Sequence, residues 1–195
     1  MATNLKIAII GPQGSGKGTQ AKMLCEKYNL LHIDLGSELR NVEKEDTELG
    51  REVKALIDAG NMVPDEVSFK IFQRLVKQAE GSESSGGFVA DGFPRTESQL
   101  QLTYTITSFD AAILIEVSEE ESVKRLLKRA EIEHRPDDTD EAIRKRLQLY
   151  HEDTEPLIKD YSGKNVLIRI NGEQSVEGVF AELERTLSKK VSLNG

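Results

Sequence analysis

The stretch GPQGSGKGTQA, Gly11 to Ala21, follows the mostly apolar run LKIAII (Leu5 to Ile10) without a break. That order constrains the fold more than any other feature of the chain. A short β-branched run cut off by Gly-Pro predicts a buried strand feeding a turn. From Gly16 onward Ala21, Leu24, Cys25 and Tyr28 fall on one side of a helical pattern. A glycine loop between strand and helix lets backbone N–H groups turn inward around phosphate oxygens, and the helix adds its positive end. Lys17 adds a full charge where β- and γ-phosphates would lie. Gly18 follows it, where the general pattern has a Ser or Thr whose hydroxyl touches magnesium. A metal at this loop needs another anchor.

Further along, LLHI (Leu30 to Ile33), FVAD (Phe88 to Asp91), AAILIEV (Ala111 to Val117) and NVLIRI (Asn165 to Ile170) read as strands with helical patterns between them. One charged helical section is expected from Ser37 to Gly60, where glycine ends it. Pro64 opens the next helix, with acidic residues in its first turn, where the helix dipole favours them. Strands alternating with helices predict a parallel sheet covered on both faces, an α/β fold whose ligands sit at the carboxyl ends of the strands. Two segments read as excursions from that core: Asp34 to Val63, charged and poor in large apolar residues, and Lys128 to Asp138, a polar bridge between helices.

A chain of 195 residues supports one substantial core. Its formal charge of −8 opposes binding to nucleic acid polymers or an anionic membrane surface, so a phosphate ligand must meet a local basic focus. No apolar run reaches bilayer length and the start of the chain has no cleavage-site pattern, so the expected setting is cytoplasmic. Cys25 is the only cysteine and His32, His134 and His151 are scattered, which excludes a disulfide framework and a Cys/His zinc cluster within one chain.

Asp91 ends a strand at the start of DGFPR (Asp91 to Arg95). A carboxylate there can hold magnesium-bound water, and the arginine four residues on can pair bidentately with a phosphate. Arg40, Arg95, Arg129, Arg135 and Arg146 fall in or beside the two excursions and the turn after a core strand. Each alone is an ordinary solvated residue; converging on one cleft, they would stabilise a phosphoryl group in transfer and hold donor and acceptor in line. Arg125 and Arg144 read as part of a charged helix face.

The ordered motifs GPQGSGKGTQA, GSELR (Gly36 to Arg40), LGREVKALIDAGNMVPDE (Leu49 to Glu66), GFVADGFPRTESQ (Gly87 to Gln99), RAEIEHRPDD (Arg129 to Asp138) and IRKRLQLYHEDTEPLI (Ile143 to Ile158) resemble the adenylate kinase family, within the nucleoside monophosphate kinases. In that family a glycine follows the loop lysine, as Gly18 does here. The resemblance implies a P-loop NTPase-type core with a five-stranded parallel sheet flanked by helices, over residues 1–33, 64–127 and 139–195. It also implies an NMP-binding excursion at 34–63 and a short lid at 128–138 without the longer inserted hairpin and its metal site.

Carried over by position, Gly14, Ser15, Gly16, Lys17, Gly18 and Thr19 would cradle the phosphates of ATP, with Arg129 and the backbone at Gln174 completing the donor site. Leu35, Arg40, Asn61, Met62, Val63, Gly92, Phe93, Pro94, Arg95 and Gln99 would line the AMP site, where Gln99 reads the base. Arg135 and Arg146 would join Arg129 over the transferring phosphoryl, making Lys17, Arg95, Arg129, Arg135 and Arg146 the catalytic set. Mg2+ would bridge the phosphates, with Asp91 holding its water shell. The implied reaction is ATP + AMP ⇌ 2 ADP by a chain whose partners are small nucleotides; a monomer is expected and an oligomer stays open.

Two positions depart from the family pattern. Leu35 stands where adenylate-specific members have Thr, and Ser37 where an acid is common, while Asp34 has appeared three residues earlier. Leu35 keeps open a kinase for UMP, CMP or a broad set of monophosphates, whereas the Gln99 amide suits adenine. A nucleotide-hydrolysing switch is the alternative of a different class, although the chain has no N-K-x-D motif and FVADG has no adjacent Glu to activate water.

Overall fold

The computed structural model describes residues 4–58, 63–82, 85–133 and 140–194. Each expected strand forms: β1 (Leu5–Ile10), β2 (Leu31–Asp34), β3 (Gly87–Asp91), β4 (Ala111–Glu116) and β5 (Leu167–Asn171). All pairings are parallel, in the order β2-β3-β1-β4-β5. The last strand starts later than its apolar run because Asn165 takes a left-handed turn, φ 56°.

Helices α1 (Lys17–Tyr28) and α8 (Val176–Asn194) cover one face of the sheet, and α4 (Asp65–Glu80), α5 (Glu97–Tyr104) and α7 (Asp140–Gly163) the other. Strand alternation sorts the side chains accordingly. Ile7, Ile9, Val89, Ile113 and Ile115 meet Leu24 and Leu183, whereas Ala8, Phe88, Ala90, Ala112 and Leu114 meet Phe72, Leu100, Leu157 and Tyr161. The sheet is thus apolar on both sides, as its β-branched runs require. Cys25 is half-buried against the first of these clusters, where burial pushes its thiol up to about 12.

The charged section after β2 is two helices, not one: α2 (Leu35–Val42) and α3 (Glu48–Asp58). Capping decides this. Asp34 accepts the Ser37 N–H at 3.0 Å to start α2, and the Thr47 hydroxyl accepts the Gly50 N–H at 2.9 Å to start α3. Leu35, Val42 and Val53 are buried in the same cluster as Phe72, so this segment is less polar in its packing than its composition suggests. Gly60, the expected end, lies outside the described residues.

The expected polar bridge at 128–138 is also partly helical, since α6 (Glu119–Glu133) continues through Glu133. KRAEIE contains only residues that tolerate a helix interior, so nothing stops it. Residues 134–138 lie outside the described part.

Register fixes what shares the carboxyl edge. Ile9 pairs with Asp91, and Asp91 with Asp34. The connections leaving β1 and β3 run to opposite faces of the sheet, α1 to one and α5 to the other, which opens a crevice between those strand ends.

Candidate active site

The glycine loop occupies that crevice. Gly16 caps α1 in the left-handed conformation, φ 91°; no side chain caps this helix end and no acid sits in its first turn, which leaves it electropositive. Lys17 Nζ turns back into the loop and donates to the carbonyls of Gly11 at 2.7 Å and Pro12 at 2.8 Å. The Ser15 hydroxyl is buried there with no hydrogen-bond partner among the described residues. Gly14 has φ 82°, and a Cβ on it would lie 2.8 Å from the Ser122 carbonyl oxygen and 3.1 Å from Leu126 Cγ. The loop therefore packs directly on α6 at a site only glycine fits.

Asp91 lies at the mouth of the crevice, with 9% of its surface exposed. Its Oδ2 is 3.6 Å from His32 Nε2 and 3.5 Å from where a Cβ on Gly18 would stand. Any side chain at 18 would enter the space between loop and carboxylate, so the missing hydroxyl is replaced by room. Hard carboxylate oxygen facing such a gap suits a magnesium ion held through water.

At the start of α2, Ser37 Oγ donates to Asp34 Oδ2 at 2.6 Å and receives Arg40 Nη2 at 2.8 Å. Burial is the largest single influence on the Asp34 carboxyl and opposes its charge. The hydrogen bonds from the Ser37 hydroxyl and N–H, with the charges of His32 and Arg40, outweigh it and hold the group below the usual carboxylate range. Asp34 thus ties the start of α2 to Arg40 through Ser37.

The turn after β3 is built separately. Phe93 and Pro94 are buried, Phe93 with its ring centroid 4.6 Å from that of Phe72 on α4. They anchor the turn while Arg95 stays exposed, its Nε donating to the Gly92 carbonyl at 2.7 Å. The Gln99 amide accepts the Arg95 N–H at 2.7 Å and donates to Asp65 Oδ1 at 2.7 Å. Leu35 is buried in the core cluster and Val63 packs against it.

Beyond β5, the Gln174 amide is engaged with the Asn171 carbonyl at 3.0 Å and with Glu182. Arg125, expected on a charged helix face, pairs along that face and also reaches beyond it. Its Nη2 donates to the Gly172 carbonyl at 3.0 Å and its Nε to Glu121 at 2.7 Å, so it ties α6 to the turn after β5. Asp65, which receives a hydrogen bond from the Gln99 amide, was passed over in the sequence. Arg129 and Arg146 belong to α6 and α7 by backbone alone. Asn61, Met62 and Arg135 lie outside the described residues.

A glycine loop at the switch point of a parallel sheet, opposite a strand-end carboxylate, makes this a nucleotide-binding protein of the P-loop class. Comparison narrows the class. The family model described as adenylate kinase matches residues 9–166. The chain is 39% identical to an adenylate kinase of Micrococcus luteus, covering 97% of this chain and 94% of the relative. Identity is 38% to those of Maricaulis maris (95% and 100% covered) and Bacteroides thetaiotaomicron (95% and 99%). The chain belongs to the adenylate kinase family.

Proposed function

We propose that Lys17, Arg40 and Arg95 hold donor and acceptor phosphates in line across the crevice, that Gln99 reads adenine, and that Arg129, Arg135 and Arg146 complete the closed site. The chain is a phosphotransferase, a nucleoside monophosphate kinase for ATP + AMP ⇌ 2 ADP. The observation that carries the site assignment is the register of Ile9 with Asp91, which sends the phosphate loop and the Arg95 turn out of the same sheet edge on neighbouring strands.

The chemistry needs little more than placement. An acceptor phosphate oxygen is already anionic near neutral pH, so no general base is required. Lys17, prepositioned inside its loop, would follow the charge on the transferring group, and Arg40 and Arg95 would fix the acceptor. Residues 34–63 and 128–138 would close over the two nucleotides and exclude water, which otherwise takes the phosphoryl group. Magnesium supplies charge neutralisation at the phosphates when bound; Asp91 would hold it through water in the gap that Gly18 leaves. Among the described residues no group of three or more His, Cys, Asp or Glu side chains could hold a metal alone, and no helix is long and apolar enough to cross a membrane.

The test is transfer from ATP to AMP, GMP, CMP and UMP in a coupled assay. AMP preference is expected. Equal use of all four overturns the adenine reading, and phosphate release without any acceptor would support the hydrolysing switch. Burial of Leu35 in the core favours the adenine reading, because the departure from Thr then leaves Gln99 as the polar group offered to the base.

A further inference from the structure

Two residues on different elements hold the Gln99 amide from opposite sides. Asp65, in the first turn of α4, takes its Nε2 hydrogen at 2.7 Å, and the Arg95 backbone N–H donates to its Oε1 at 2.7 Å. Asp65 is itself positioned by the Thr96 hydroxyl, which donates to its Oδ2 at 3.2 Å. Gln99 has only 7% of its surface exposed.

A carboxylate can only accept and a backbone N–H can only donate. Turning the amide over would face its oxygen to Asp65 and its NH2 to the Arg95 N–H, exchanging two hydrogen bonds for two repulsions. The amide is therefore fixed in one orientation. The two bonds use one of the two Nε2 hydrogens and one of the two Oε1 lone pairs, which leaves one donor and one acceptor for a ligand.

We propose that Asp65 sets the acceptor base by locking this orientation. The proposal rests on Gln99 reading the base. A free amide is ambidextrous, pairing as well with an amino group beside a ring nitrogen, as in adenine and cytosine, as with a carbonyl beside a ring N–H, as in guanine and uracil. In the locked orientation the oxygen and nitrogen exchange no places, so the site accepts an amino base and leaves an oxo base with unmatched polar groups. Rejection by unpaired buried groups is stronger than rejection by size. Asp65 is a positioning residue here, and its effect divides the four acceptors by pattern rather than by ring size.

The experiment is kcat/KM with ATP and each of AMP, CMP, GMP and UMP for the wild-type chain, Asp65→Asn and Gln99→Ala. An amide at 65 accepts or donates, which releases one of the two holds on Gln99. The GMP:AMP and UMP:AMP ratios should then rise about tenfold, the worth of roughly one hydrogen bond, through KM, while CMP:AMP stays within about twofold. An equal fall for all four acceptors, or unchanged ratios, overturns the lock and leaves Asp65 a purely structural link between α4 and α5. Wild-type ratios in Gln99→Ala would instead overturn the base reading beneath it. If melting shows the amide variant to be unfolded, Asp65→Ser, whose hydroxyl also accepts or donates, carries the same comparison.

Discussion

The two halves of the site are built from different materials. In the half we assign to the donor, Lys17 is gripped by the Gly11 and Pro12 carbonyls, and the loop rests on α6 through Gly14. In the half we assign to the acceptor, Arg40 hangs from Ser37, Ser37 from Asp34, and Gln99 from Asp65. Main-chain groups hold the first, whereas the second adds links from side chain to side chain to its main-chain contacts. A main-chain cradle needs particular backbone angles and the absence of side chains, so its residue choices are narrow. A side-chain network needs only that donors meet acceptors. That is how a carboxylate at 34 and a hydroxyl at 37 can stand where the family pattern commonly has its acid at 37.

The largest expected effect tests the donor half. Lys17→Met keeps an unbranched apolar stem and removes the ammonium group, and kcat should fall by about 10³-fold or more, on the scale of losing a charged group at a transferring phosphoryl. Circular dichroism and the melting curve should be close to those of the wild type. Near-native turnover would remove the loop lysine from the reaction. Gly14→Ala tests the same half through the backbone. It combines a φ of 82° with a Cβ placed 2.8 Å from the Ser122 carbonyl oxygen, so about 2–4 kcal/mol of stability should be lost in urea unfolding. A loss below about 0.5 kcal/mol would mean the loop gives way easily, and the contrast with the acceptor half would weaken.

The same contrast explains what was legible in the sequence. The loop, the parallel sheet and Asp91 at a strand end were all readable, because glycine placement and apolar runs record backbone geometry directly. Asp65 and Gln99 are 34 positions apart, on helices with no shared period, and nothing local in either helix announces their contact. The break between α2 and α3 was hidden for a related reason. Glu43 to Asp46 consists of helix-tolerant residues, and only the Thr47 hydroxyl marks the new start. Leu35 entered the acceptor reading only through the family resemblance, and its burial in the core cluster is a packing fact that no local pattern announced. Arg125 does belong to a charged helix face, pairing with Glu121 one turn away, but its second partner, a carbonyl 47 positions on, left no local mark.

The smallest expected effect probes the acceptor half by proton linkage. Asp34→Asn retains a side chain that caps a helix about as well, so stability near neutral pH should change by no more than about 1 kcal/mol. What it removes is the ionisation that Ser37 and Arg40 support. The folded carboxyl lies below its ordinary value of about 3.9, so its contribution is fully present above that value and lost as pH falls through the lower folded one. The variant has no such proton to take up. The gap in urea stability between wild type and variant should therefore close from the wild-type side as pH falls from about 4 through the lower folded value. A gap that stays flat or widens as acid is added would mean that the folded state does not favour the charged form of Asp34. The side-chain network holding Arg40 would then have to be reassigned to Ser37 alone.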